Sequence, residues 1–133
     1  MSFTHELRVR YGECDPQGIV FNANYLLYFD VALTEYWRDR IGPWEDMALL
    51  GVDAVVAEAN LRFRAPARFD DVLALEVRTE ELGTTSMTTL VEVQRNGEPL
   101  VEMRLRHVFV DRETWSKTAI PEEIREKLAA PAS

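Results

Sequence analysis

The sequence holds a single cysteine, Cys14, and two histidines, His5 and His107. One cysteine cannot close an internal disulfide, and two distant histidines make no cluster at metal-ligand spacing. The reading is a cytoplasmic chain with no metal site and no cofactor of its own. Positive charge is also scarce: 15 Lys plus Arg stand against 23 Asp plus Glu, a formal net charge of -8. Such a balance repels a phosphate backbone and argues against nucleic acid as a partner. Long apolar runs are missing too. The strongest stretches, such as residues 53–59, fall far below the ~20 residues that cross a bilayer, so no membrane span is expected. Met1 to Glu6 shows no basic segment followed by an apolar one, so no secretion signal is read. Common hydrolytic and nucleotide motifs are absent as well: there is no Gly-x-Ser-x-Gly, no glycine-rich phosphate loop and no dinucleotide fingerprint.

What is present is ordinary for a packed domain. With 133 residues, 47% hydrophobic and 29% charged, the chain has the size and composition of one globular domain over residues 1–133. Leu7, Val9 and Tyr11 alternate with charged neighbours and define a first strand. The period then changes, and Leu26, Phe29, Leu33 and Trp37 recur at helical spacing, predicting a long helix over Asn22 to Ile41 that Gly42-Pro43 stops. Trp44 to Leu50 is expected to form a short second helix ended by Gly51. Alternation returns with Val55, Ala57, Ala59, Leu61 and Phe63 on one face of a second strand. Leu73, Leu75 and Val77 mark a third strand, Met87, Thr89, Val91 and Val93 a fourth, and Val101 to Phe109 a fifth. Asn96-Gly97 is a hairpin signal, because both central positions of a type I′ turn need positive φ. Pro121-Glu122-Glu123 opens a short last helix, and the tail Ala129 to Ser133 is expected to fray. The order β, long α, then four β gives an α+β domain whose antiparallel sheet covers one helix.

Elimination leaves one constellation that can carry chemistry. His107 falls on the apolar face of the fifth strand, where a satisfied core histidine is the expected role. Cys14 sits beside an acid that raises its thiol pKa and disfavours a nucleophilic role. The segment from Tyr11 to Tyr25 joins the first strand to the helix and places Asp15 just before a helix N-terminus. Amides there have no intrahelical acceptor and the helix dipole is positive, so a developing oxyanion is stabilised. A nearby carboxylate can attack a carbonyl or activate water against it. The plainer alternative is that Asp15 accepts turn hydrogen bonds and Asn22 caps the helix. Asp30 is a second anomaly, a carboxylate on the helix stripe, to be satisfied by an arginine or backbone donor or by a polar ligand group. Asn60, Arg62 and Arg64 on the polar face of the second strand are ordinary solvated positions unless a subunit or ligand covers them.

The run Asp15-Pro16-Gln17-Gly18-Ile19-Val20-Phe21, with Asn24-Tyr25, Asp30 and the later turn Ala65 to Leu73, resembles the 4-hydroxybenzoyl-CoA thioesterase branch of the hotdog superfamily. The resemblance implies a hotdog fold, five antiparallel strands wrapped around the central helix, assembled as a homodimer or homotetramer with sites between subunits. It implies an acyl-CoA substrate hydrolysed to free acid and CoA. Asp15 matches the catalytic aspartate, and Gly18 and Asn22 match backbone positions that polarise the thioester carbonyl. Tyr25, Asp30 and Asn60 are the expected substrate contacts. Asn22 departs from the His or Tyr of many relatives, and its side chain cannot act as acid or base. Two rivals share the fold: a non-catalytic acyl-CoA binding or sensing module, and a thioesterase acting on acyl carrier protein. A hotdog dehydratase ranks below both, since neither histidine sits in a suitable motif.

Overall fold

The computed structural model describes residues 3–129. Of the tail expected to fray, Ala129 is instead the last residue of a helix, and residues 130–133 lie outside the described residues. Five strands, β1 (Phe3–Arg8), β2 (Val52–Phe63), β3 (Val72–Leu82), β4 (Ser86–Arg95) and β5 (Glu98–Asp111), form one antiparallel sheet in the order β1-β3-β4-β5-β2. A long helix, α1 (Asn24–Arg40), packs on one face, and a short helix, α2 (Glu122–Ala129), follows the last strand. Trp44–Leu50 is a 3-10 segment, closed by Gly51 at φ 73° as its glycine foretold. The hairpin between β4 and β5 turns on Asn96 and Gly97, both at positive φ. The α+β architecture expected from the sequence is met.

The core lies between α1 and the inward residues of β3, β4 and β5, with Phe29, Trp37, Leu73, Val91, Met103 and Phe109 fully buried. The buried stripe of α1 differs from the expected one. Tyr25, Tyr28, Phe29, Ala32, Leu33, Tyr36 and Trp37 are buried, whereas Leu26 is 40% exposed. Three tyrosines among Leu-like positions widen the apolar face and rotate it away from Leu26.

β2 departs from the expected alternation. It pairs with β5 from Val52↔Asp111 to Phe63↔Val101, and the register shifts between Val56 and Glu58, so Ala57 is an extra residue. The inward face of β5 carries Met103, Leu105 and His107, which stand opposite Leu61, Ala59 and Val56. Ala54 and Val56 therefore share the face of Ala59 and Leu61, and Val55 is turned outward. A bulge of this kind bends the strand and swaps the faces on either side of it. β2 is also an edge strand, and most of its residues are exposed.

Candidate active site

Glu13 ties the loop between β1 and α1 into its shape. Its carbonyl accepts hydrogen bonds from the Phe21 amide (2.9 Å) and the Asn24 side chain (2.8 Å), joining the two limbs. Its carboxylate accepts from the Arg10 amide (2.8 Å), the Arg10 guanidinium and the Tyr28 hydroxyl (2.9 Å) of α1. Burial pushes the Glu13 carboxyl up, but these donors outweigh it and hold it below the ordinary glutamate range. The Tyr28 hydroxyl is pushed far up, first by burial and then by the Glu13 carboxylate it serves.

Inside this frame Asp15 closes a tight turn. Its amide donates to Ile19 (2.9 Å) and its carbonyl accepts from Gly18 (2.9 Å), which stands at φ +82°, a conformation glycine adopts without strain. The Gln17 amide donates to Asp15 Oδ1 at 2.8 Å and fixes the carboxylate, while Oδ2 has no partner among the described residues. The second resembling segment packs directly against this loop: Val20 donates to the Ala67 carbonyl (2.9 Å), and Ile19 bridges Arg68. Tyr25, buried at the start of α1, accepts a hydrogen bond from the Ala67 amide (3.3 Å) and sets its ring edge-on to Phe63.

The helix start corrects one expectation. Ala23, not Asn22, occupies the N-cap position, and no side chain caps the helix. The Asn22 and Ala23 amides have no acceptor among the described residues, whereas the Gly18 amide is committed to Asp15. Of the two expected backbone donors, Asn22 is thus the available one. Asp15, Gln17, Asn22, Tyr25, Phe63 and Arg64 line a cavity of about 420 Å³. Gly18 shapes the turn without lining the cavity. Arg64, read from sequence as a solvated position, lies at this cavity and pairs with Glu102 at 3.3 Å.

Asp30 lies at a second cavity, of about 310 Å³, with Leu33, Thr34, Trp44, Ala54, Val56 and His107. The expected arginine or backbone partner is not found: among the described residues nothing bonds to the Asp30 carboxylate, and burial by its surroundings pushes the carboxyl up. His107 is 4% exposed and stacks on Phe29 with ring centroids 6.3 Å apart. Its expected satisfaction is also not met, because Nδ1 is buried without a hydrogen-bond partner. Burial pushes the imidazole pKa down, so the neutral ring is favoured. Asn60 lines neither cavity; it pairs with Arg104 on the outward face of β2, exposed. Cys14 behaves as expected, its thiol raised by burial and then by Asp15 and Glu13.

An acid fixed near free amides at a helix start is suited to acyl chemistry. A model of the thioesterase-like superfamily matches residues 9–128. The chain belongs to the thioesterase-like superfamily. A putative esterase of Aquifex aeolicus is 30% identical over 128 residues, 96% of this chain and 98% of its own. The 4-hydroxybenzoyl-CoA thioesterase of Pseudomonas sp. is 31% identical over 115 residues, 82% of each chain. The crystal structure of a hypothetical protein from Thermus thermophilus, 32% identical, matches with a TM-score of 0.88 over 95% of this chain and 96% of that one. The family and the hotdog fold read from the sequence are thus met, and with them the expectation of a thioester-hydrolase type of enzyme.

Proposed function

We propose that this member of the thioesterase-like superfamily hydrolyses an acyl-CoA thioester, with Asp15 as nucleophile or general base and the Asn22 amide polarising the carbonyl. The observation that carries the reading is the tethered Asp15 carboxylate, held by the Gln17 amide at 2.8 Å, lining one cavity with the unpartnered Asn22 amide. In either route an oxygen adds to the thioester carbon and the carbonyl electrons move to oxygen, facing the helix N-terminus. The C–S bond then breaks and the thiolate of CoA takes the proton that water gives up. If Asp15 attacks first, an acyl-aspartyl anhydride forms and water cleaves it; if Asp15 is the base, water attacks directly. The CoA carrier is supported by the named activity of the Pseudomonas relative.

The assembly we favour is a homodimer joined along β2. That strand runs 12 residues at a free sheet edge, with Val55, Val56 and Phe63 exposed, and an unpaired edge of this kind invites a second strand. Antiparallel pairing of two β2 strands about a twofold axis sets the Phe63 end of one against the Ala54 end of the other. The Asp15 cavity of each chain then meets the Asp30 cavity of its partner. A homotetramer needs a further face, and sedimentation distinguishes the two. No helix among the described residues is long and apolar enough to cross a membrane, and a cytoplasmic setting suits the single unpaired Cys14.

Asp15→Asn is the decisive variant, since its amide oxygen still accepts from Gln17. With a panel of short, long and aromatic acyl-CoAs, kcat is expected to fall by roughly 10³-fold or more while the melting temperature stays unchanged. Retained turnover in this variant overturns the mechanism. Tight acyl-CoA binding by the unaltered protein with no turnover of any member supports a sensing module instead.

A further inference from the structure

Asp15 and the Asn22 amide must face one carbonyl, yet they ride on opposite limbs of the loop between β1 and α1. Glu13 joins the limbs. Its carbonyl accepts from the Phe21 amide (2.9 Å) and the Asn24 side chain (2.8 Å), so it grips the residues that bracket Asn22. Asp15 follows Glu13 by two residues, and its own hydrogen bonds, to Gln17, Gly18 and Ile19, stay within its turn. The spacing between carboxylate and amide is therefore set by where Glu13 stands. Two side chains hold the Glu13 carboxylate. Arg10 reaches it from the end of β1, with a side chain 82% exposed, whereas Tyr28 reaches it from the body of α1 and is buried. The Tyr28 hydroxyl donates to Oε1 at 2.9 Å.

We propose that Tyr28 is a positioning residue for the hydrolysis: its hydroxyl, acting through Glu13, keeps the Asn22 amide in line with the Asp15 carboxylate. The inference rests on the acyl-CoA hydrolase reading of the Asp15 cavity. Tyr28 is built as a strut. Its ring stands edge-on to Tyr25, with centroids 5.7 Å apart, and Tyr25 is itself fixed by the Ala67 amide. A carboxylate only accepts, so the hydroxyl is the donor, and burial followed by Glu13 keeps its proton in place. The same helix supplies a bond of the same kind away from the site. The buried Tyr36 shares a hydrogen bond of 2.8 Å with the Thr79 hydroxyl of β3 and lines neither the Asp15 nor the Asp30 cavity. That bond serves packing, and it separates positioning from stability.

Tyr28→Phe keeps the ring against Tyr25 and removes the strut. With the best substrate of the acyl-CoA panel, kcat is expected to fall about tenfold while KM stays unchanged, because a small misplacement inside an intact cavity is felt in the transition state. Tyr36→Phe is expected to lower the melting temperature by a similar amount and to leave kcat at the parent value. Glu13→Ala removes the acceptor, so it is expected to lose at least as much kcat as Tyr28→Phe. Adding Tyr28→Phe to it is expected to cost nothing further, since the two residues act as one unit. Should Glu13→Ala not fold, the two tyrosine variants decide alone. Parental kcat in Tyr28→Phe, a loss carried by KM, an equal fall in Tyr36→Phe, or a second full fall in the double variant overturns the inference and leaves the hydrolase reading standing. A parent protein that turns over no member of the panel overturns both.

Discussion

Glu13 carries more hydrogen bonds than the catalytic candidate it stands beside. Its carboxylate receives the Arg10 amide and guanidinium and the Tyr28 hydroxyl, and its carbonyl clasps Phe21 and Asn24 across the loop. Asp15, two residues on, inherits its position from that frame. Glu13→Gln keeps the shape and removes the charge, so urea denaturation near neutral pH is expected to show a loss of about 1 kcal/mol, discounted for the exposed Arg10. The Glu13 carboxyl is depressed because hydrogen bonding overcomes burial. Its stabilisation is therefore full above the ordinary glutamate pKa and is lost as pH falls through the depressed folded-state value. The gap between the two proteins is expected to close in acid; a gap constant down to about pH 3 would sink this account. Single residues also show what a sequence can and cannot convey. Asp15 stood out as a candidate because elimination left no rival and the flanking run is specific; that it lines a cavity with Asn22 was not legible. The burial of His107 was readable from alternation, but its orphaned Nδ1 was not, since that depends on Phe29 and Val56 arriving from other elements. Asn22 looked like a cap by residue type, yet the cap position falls one residue later, on Ala23.

At the scale of elements, alternation and turn chemistry predicted five strands, one long helix and the Asn96-Gly97 hairpin, because each signal is local. The bulge in β2 was not legible. Val55 and Ala57 fit the alternating face as well as Val56 does, and only the pairing with β5 decides which turns inward. That one extra residue brings Ala54 and Val56 to the wall of the Asp30 cavity while bending the strand at the open edge. Deleting Ala57 joins Val56 to Glu58 in the register they already hold opposite His107 and Arg106. The deletion variant is expected to fold and melt cooperatively, since every other pair is retained. Its kcat/KM is expected to fall several-fold because the straightened edge no longer aims Val56 at the cavity. Unchanged activity would show that the bend serves pairing alone.

For the whole molecule, the two cavities pose a question of geometry. Asp15 and Asp30 line different cavities in one chain, and the strand they share is the free edge, with Phe63 at one cavity and Ala54 and Val56 at the other. If two β2 strands pair, each complete site takes Asp15 from one subunit and Asp30 with His107 from the other. A hybrid dimer separates this from a site within one chain. Asp15→Asn in one subunit and Asp30→Ala in the other, purified with two tags, places both changes in one composite site and leaves the second site unaltered. Its kcat is then half that of the parent dimer, with the parent KM. Sites confined to single chains give a different result: the Asp15→Asn chain is silent, and the Asp30→Ala chain turns over with the KM of the Asp30→Ala homodimer. Activity alone does not separate the two arrangements, since each leaves one working site. The KM does, because it reports whose Asp30 faces the working Asp15.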